Sequence, residues 1–243
     1  MKKAMIILLC LITLMSVLPV SAYSEGAAPD DWNLKTEDLP QDEQDRYLKI
    51  IRWMISDNMQ PLGLIHCYAA AADGSVAIGL NEGEPMSVHV LDAQGGHLYT
   101  VKFAPSSAYA LGWRQADHTL LIFIYRSERL VAVGPDRGVT VYKLPGTTDN
   151  YLQVDTLFSK IQRVGNCRFS LENPYGIFNF LLVPDYCRLV ATEGNETKIL
   201  YEADNNRVQD KLIDSVGILA VWIVAAIWLY VIIRRIAKRM KRR

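Results

Sequence analysis

Apolar residues follow three spacings along this chain, and each spacing predicts a different kind of element. An uncharged run covers residues 215–233. At ~1.5 Å per residue it would form a helix of roughly 28 Å, which matches the ~30 Å hydrocarbon core of a bilayer. A helix also satisfies every backbone polar group inside that core. We therefore predict a single C-terminal transmembrane helix over 215–233.

Helical spacing predicts an N-terminal helix over 40–59. Pro40 suits the first helical position, whereas Pro61 and Gly63 follow the end. Apolar residues recur at helical spacing within it and form one face: Tyr47, Ile50, Ile51, Met54 and Ile55. We expect this face to pack on a sheet.

From residue 64 to 203 the spacing becomes strand-like, and the chain repeats itself. Asp73 and Asp117 begin equivalent turns 44 positions apart, and Asp92 and Asp136 begin a second pair with the same separation. Asp favours turns because its carboxylate bonds nearby backbone amides. Each unit then contains four short strands joined by such turns.

In period and turn chemistry, residues 65–144 resemble two consecutive blades of β-propeller repeat proteins. A third, irregular unit would follow a connecting stretch at 145–160 and use four strands: 166–171, 176–183, 187–192 and 197–203. The resemblance implies a mainly β, antiparallel ectodomain. Because a ring closes with roughly four to eight blades, we expect an open propeller-like stack capped by the N-terminal helix, or half of an assembly.

The remaining segments predict topology. Residues 1–22 have the basic start, apolar core and small final residues of a bacterial-type signal peptide; an uncleaved anchor is the alternative. Residues 23–39 form a flexible lead-in, and 204–214 a short polar stalk. In the tail over 234–243, seven of ten residues are basic, which places the C-terminus in the cytoplasm.

Charge argues against nucleic acid as a partner. The whole chain has zero net charge, but residues 23–213 hold about 17 basic and 25 acidic residues, a net charge of about −8. A nucleic-acid-binding surface needs the opposite balance. The bilayer is therefore the first expected partner, and an envelope protein or polymer the second.

Three cysteines follow the signal peptide. Cys167 and Cys187 flank two strand-like runs separated by turn residues, so a disulfide between them is one expectation. The alternative is that both, like Cys67, are small buried apolar side chains.

Catalytic motifs are absent from the sequence. It has no G-x-S-x-G elbow and no H-E-x-x-H pair. His89 and His97 fall on neighbouring predicted strands, but two histidines alone do not predict a metal site. The regularly spaced Asp residues are expected to cap their own turns. We therefore predict no catalytic, cofactor-binding or metal-binding residue.

Two sets of residues are candidates for binding. Trp113, Tyr125 and Arg126 are residue types that carry interface energy, and they predict a ligand groove; a salt bridge within the sheet is the alternative for the arginine. In the transmembrane run, Gly217 and Ala220 are small enough to allow close helix–helix association.

These patterns predict a single-pass membrane protein with an extracytoplasmic β-rich domain. We expect that domain to be a non-catalytic binding or scaffolding module of the cell envelope. The alternative is a propeller-type hydrolase or lyase that acts on envelope glycans or peptides through paired acids such as Asp73 and Asp117.

Overall fold

The computed structural model describes residues 26–27, 34–59, 62–80, 85–105, 107–182 and 184–240. The predicted signal peptide over 1–22 lies outside these residues, as does most of the lead-in. The described residues form helices α1 (Gln41–Ile50), α2 (Thr148–Thr156) and α3 (Asn205–Met240) and a 3-10 helix at Gly176–Leu181. The strands are β1 (Gly26–Ala27), β2 (Glu37–Asp38), β3 (Met54–Ser56), β4 (Ile65–Ala70), β5 (Val76–Leu80), β6 (Met86–Leu91), β7 (His97–Phe103), β8 (Tyr109–Arg114), β9 (Thr119–Ile124), β10 (Arg129–Val133), β11 (Val139–Lys143), β12 (Ile161–Val164), β13 (Cys167–Glu172), β14 (Arg188–Glu193) and β15 (Glu196–Glu202).

The described strands form three open sheets of five strands each, so the mainly β, antiparallel expectation is confirmed. The middle sheet has the order β3-β7-β6-β5-β4, the second sheet β2-β11-β10-β9-β8, and the third sheet β1-β12-β13-β14-β15. Every pairing is antiparallel except that of β1 with β12. Within each sheet, four strands that are consecutive along the chain lie side by side, and the fifth comes from the N-terminal part of the chain.

The middle sheet packs through both of its faces. Cys67 and Ala69 of β4 belong to a core shared with the second sheet, whereas Tyr68 and Ala70 belong to a core shared with the third. Successive side chains of a strand point to opposite faces, so continuous burial of β4 and β5 requires cover on both sides. The second sheet has its own outer cover, because Val154 and Leu157 of the α2 region pack against it.

The N-terminal part of the chain contributes one strand to each sheet. β1 pairs with β12 of the third sheet, β2 with β11 of the second and β3 with β7 of the middle sheet. This segment therefore connects three sheets whose other strands come from separate stretches of chain.

The N-terminal helix is shorter than the prediction of 40–59. Helix α1 ends at Ile50, and Arg52 takes the left-handed conformation with φ of 52°. The Trp53 amide then donates to the Leu48 carbonyl at 2.9 Å, which reverses the chain. Met54 begins strand β3 because pairing with β7 outweighs the helical spacing of the apolar residues.

One further prediction, a strand at 176–183, was wrong. The connecting stretch at 145–160 contains helix α2, and the strand predicted at 176–183 is the 3-10 helix Gly176–Leu181. Gly176 has a φ of 57°, a conformation that suits glycine and turns the chain out of the extended path.

The segment 204–214, predicted as a short polar stalk, contains the start of a long helix. Helix α3 runs without interruption from Asn205 to Met240. Its portion Asn205–Ile232 is 28 residues long, has a mean hydropathy of 2.4 in its most apolar stretch, and is the one helix among the described residues that is long and apolar enough to cross a membrane. The apolar run is thus the second part of a helix that begins in the β-sheet domain.

Candidate functional site at the helix junction

Helix α3 begins as part of the folded domain. Asp204 precedes it and accepts a hydrogen bond from the Asn206 amide at 2.8 Å, which satisfies one of the free amides at a helix start. The Asp204 amide donates to the Leu62 carbonyl at 2.7 Å. Val208, one turn further on, is only 1% exposed in the core between the middle and third sheets.

The carboxylate of Asp185 lies between this helix and strand β4. Asp185 is 1% exposed; its Oδ2 lies 3.2 Å from Nζ of Lys211, and its Oδ1 lies 3.8 Å from Nδ1 of His66. The Lys211 ammonium compensates the lost hydration of the carboxylate, because an unpaired buried charge costs several kcal/mol. The contact with His66 is too long for a hydrogen bond, so it is electrostatic and requires a protonated ring.

Backbone hydrogen bonds fix the position of Asp185. Its amide donates to the Leu182 carbonyl at 2.8 Å, and its carbonyl accepts from Nδ2 of Asn173 at 3.1 Å. The next residue, Tyr186, exchanges two backbone hydrogen bonds with Ile65 of β4, at 2.7 and 2.8 Å. The loop is therefore tied to the middle sheet.

A second contact lies one turn further along helix α3. Oγ of Ser215 donates to the Leu181 carbonyl at 2.8 Å. Lys211 and Ser215 are four positions apart and so share one face of the helix. Beyond this point the helix leaves the domain, and Val216 and Ile218 are 51% and 61% exposed. We call the contacts from Asp204 to Ser215 the helix junction.

A small pocket adjoins the junction. It has a volume of about 70 Å³ and is lined partly by His66, Phe158, Ser159 and Tyr186. The ring of His66 lies between two aromatic rings, with centroids 5.7 Å from Tyr109 and 6.2 Å from Phe158. This volume suits a few water molecules or a small side chain.

The nucleophilic groups beside this pocket are not prepared for catalysis. The Ser159 hydroxyl donates to the Ile161 carbonyl at 2.7 Å, so its proton is engaged with the backbone. Burial raises the pKa of the Cys67 thiol far above its usual range, which disfavours the thiolate form that reacts. The geometry of the helix junction therefore suits a structural connection between helix α3 and the sheets better than it suits catalysis.

The structure does not bring the predicted ligand-groove residues together. Trp113 is 4% exposed near the end of β8, where its Nε1 donates to the Ala69 carbonyl at 3.1 Å. Tyr125 and the exposed Arg126 follow the last residue of β9, Ile124, which pairs with the first residue of β8. Because the two sites lie at opposite ends of one hairpin, they do not form one groove.

The turn aspartates are engaged with nearby groups. Asp73 accepts from the Ser75 amide at 2.9 Å, Asp92 from the Gly96 amide at 2.7 Å, and Asp136 from the Gly138 amide at 2.9 Å. Asp117 likewise bonds Thr119, two residues further on, and in addition the Arg114 guanidinium binds both of its oxygens and lowers the pKa of that carboxyl.

Asp73 and Asp117 do lie in neighbouring turns. Nε2 of His118 is 3.3 Å from a carboxylate oxygen of Asp73, and its ring packs on Trp113 with centroids 4.9 Å apart. Gln115 connects the same two turns, accepting at 2.7 Å from the Ala72 amide. The two turns are thus neighbours, and each of the two carboxylates already has an internal partner.

His89 and His97 also come together. Their ring centroids are 5.8 Å apart, and Nε2 of His97 lies 2.8 Å from the Thr100 hydroxyl. His89 is fully buried, and burial lowers the pKa of its ring to about 4. Among the described residues no group of three or more His, Cys, Asp or Glu side chains is arranged to hold a metal ion.

The register does not bring Cys167 and Cys187 together. Cys167 pairs with Glu193, whereas Glu172, at the other end of β13, pairs with Arg188. Cys187 therefore lies just beyond the far end of this strand pair, about 20 Å away at ~3.3 Å per residue, whereas a disulfide needs Cα atoms within about 7 Å. Both thiols are free, and Cys187 is buried with a pKa raised to about 11.

Gly217 and Ala220 lie on the part of helix α3 beyond the domain. Ala220 is exposed, and a Cβ built on Gly217 would meet no described atom within 4 Å. Their predicted role in helix association stays a prediction.

Comparisons of the chain with protein-family models, with curated proteins and with solved structures found no match. Sequence reasoning missed the junction residues His66, Asp185 and Lys211. One signal was present: Val208 and Leu212 are four positions apart and apolar within the polar segment 204–214, which is helical spacing.

Proposed function

We propose that this protein is a single-pass, membrane-anchored extracytoplasmic protein whose β-rich domain is a non-catalytic binding or scaffolding module of the cell envelope. The observation that carries the proposal is the continuity of helix α3 from the domain core into the exposed apolar run. This arrangement holds the domain close to the membrane surface without a separate linker.

The proposed orientation places the β-sheets outside and the C-terminus in the cytoplasm. Seven basic residues in the last ten support it, as does the signal-like start of the chain. A membrane-impermeant thiol reagent applied to intact cells tests it. Ala116→Cys should be labelled from outside, and Lys238→Cys only after permeabilisation; the reverse pattern would contradict the orientation.

We further propose that the three sheets are blade-like units of an open, propeller-like stack. Support comes from contacts between residues one repeat apart, since Trp113 bonds the carbonyl of Ala69, 44 positions earlier. Each unit exposes loops at its sheet ends, which suit the recognition of an extended envelope polymer or a protein surface.

A hydrolase or lyase acting on envelope glycans or peptides is the second candidate. The proximity of Asp73, Asp117 and His118 favours it, because paired acids serve glycosidic cleavage. The engagement of both carboxylates with internal partners favours the binding module.

The full-length protein in vesicles, offered soluble envelope glycans and peptides, separates the two candidates. We expect saturable binding by calorimetry and no new products by mass spectrometry. Product formation abolished by Asp73→Asn and Asp117→Asn would establish the enzyme instead. Asp136→Asn is the matched control, because Asp136 caps a turn of the same kind through the Gly138 amide and is not one of the two paired acids.

A further inference from the structure

The 3-10 helix Gly176–Leu181 lies where the membrane surface is expected. Oγ of Ser215 donates to the Leu181 carbonyl at 2.8 Å, and Ser215 is the first residue of the uncharged run of helix α3. At ~1.5 Å rise per residue, the end of the 3-10 helix is level with the first turn of the apolar run. This position follows from the hydrogen bond between the Ser215 side chain and the Leu181 backbone.

The segment around this 3-10 helix has the composition of a membrane-interface element. No charged residue occurs from 173 to 184, between Glu172 and Asp185. The sequence within it includes Ile177, Phe178 and Phe180, and aromatic and aliphatic residues together favour the boundary between headgroups and acyl chains. A soluble surface loop of this length is normally polar.

The segment is anchored at both ends and its backbone is partly satisfied internally. Leu182 is fully buried in the core, and its amide donates to the Asn179 carbonyl at 3.2 Å. Oδ1 of Asn179 accepts from the Tyr175 amide at 2.9 Å. Internal pairing of this kind lowers the cost of taking a backbone away from water.

We infer that the 3-10 helix Gly176–Leu181 is a second membrane contact of this protein, which inserts into the interfacial layer of the outer-facing leaflet beside helix α3. The partner is the lipid surface. The inference rests on the proposed membrane anchor and adds a specific site to it: with two contacts, the domain would have a fixed tilt relative to the bilayer.

Depth-dependent quenching in the full-length protein tests this inference. A fluorophore is attached at Ile177→Cys, Phe178→Cys or Phe180→Cys, in a background with Cys10→Ser and Cys167→Ser; the buried Cys67 and Cys187 have raised thiol pKa values and react poorly. The vesicles contain phosphatidylethanolamine and phosphatidylglycerol, with a quencher on a shallow or a deep acyl carbon. Iodide serves as the aqueous quencher.

Two labelled positions serve as controls. Val221→Cys lies in the apolar run, where Val221 is 69% exposed to the surroundings of the helix. Ala116→Cys lies in the exposed turn after β8, at the end of that strand far from Tyr109. The 3-10 helix positions should be quenched by the shallow lipid quencher at least about twofold more than Ala116→Cys, and should be protected from iodide.

Three results would overturn the inference. Iodide quenching equal to that of Ala116→Cys, with lipid quenching of Val221→Cys retained, would place the segment in water and leave the anchor intact. Protection from both quenchers would mean that protein covers it. Loss of lipid quenching at Val221→Cys would contradict the proposed membrane anchor itself, and with it this second contact.

A measurement on the unsubstituted protein avoids the risk that a substitution alters the fold. A diazirine carried near the lipid headgroup is photoactivated in vesicles, and the tryptic peptide 169–188 is examined by mass spectrometry. This peptide should carry lipid adducts, whereas peptide 115–126 should not. Equal labelling of the two peptides would contradict a specific contact.

Discussion

Aspartate has different roles in the hairpin turns and at the helix junction. In the turns, Asp92 bonds an amide four residues away and Asp136 an amide two residues away. At the junction, Asp185 pairs with Lys211, and Leu181 with Ser215, across 26 and 34 positions. The turns stabilise themselves locally, whereas the junction stabilises the relation between two parts of the molecule.

This difference predicts that substitutions in the turns will have small, local effects and that substitutions at the junction will have large effects that reach helix α3. The contrast between the turns and the helix junction can be tested with the full-length protein in detergent or vesicles.

The largest effect is expected for Lys211→Met. This change leaves the buried Asp185 carboxylate without its ammonium partner. Because the Lys211 side chain is itself 35% exposed, water screens part of the interaction, and we expect a loss at the lower end of the range for buried pairs, about 3 kcal/mol. Denaturation followed by near-UV circular dichroism measures the loss. The double variant Asp185→Asn/Lys211→Met should recover most of it, and an unchanged midpoint in Lys211→Met would contradict the role of this pair.

Acid should weaken the middle sheet through His89. Burial lowers the pKa of this ring to about 4, against about 6.5 in an unfolded chain. As the pH falls from about 6.5 to about 4, the unfolded state binds a proton that the folded state does not, so stability decreases by up to about 3 kcal/mol. The measurement is the denaturation midpoint against pH. An equal slope in His89→Leu would assign the effect to other groups.

Val208→Ala should cost about 2 kcal/mol, because it opens a cavity in a site that is 1% exposed. Hydrogen exchange should increase at the start of helix α3 more than in the sheets. The matched control is Val216→Ala, beyond the junction, which should leave exchange in the domain unchanged. Equal responses to both substitutions would remove the distinction between docked and undocked parts of the helix.

The smallest effect is expected for Asp92→Ala. It removes the hydrogen bonds to the Gln94 and Gly96 amides, and loss of such a local cap costs about 1 kcal/mol. Exchange should rise in the β6–β7 turn alone. A change in the protection of helix α3 would show that the turn is not local in its effect.

The same contrast explains what could be predicted from the sequence. Alternating apolar residues and turn aspartates depend on local geometry. The β content and the capping of turns by Asp73, Asp92 and Asp136 could therefore be predicted from the sequence. The C-terminal apolar run could be recognised equally well, because the thickness of a bilayer sets the length of a membrane-spanning helix.

The junction could not be predicted because its contacts depend on how distant segments meet. From the sequence alone Lys211 is an ordinary polar residue, and only the fold shows that it lies beside Asp185. Similarly, Trp113 and Tyr125 are close in sequence, and only the hairpin register shows that they lie at opposite ends. The spacing of Met54 predicts a helix, because the sequence does not show that β7 provides a strand partner for this residue.

The most direct test of the account is hydrogen exchange at residues 205–214 of the full-length protein in vesicles. If helix α3 is continuous with the domain, these amides should be protected to nearly the same degree as strands β13 and β14. Exchange at the rate of an unstructured chain would mean that this segment is a flexible stalk, and would contradict the rigid connection between the sheets and the membrane helix.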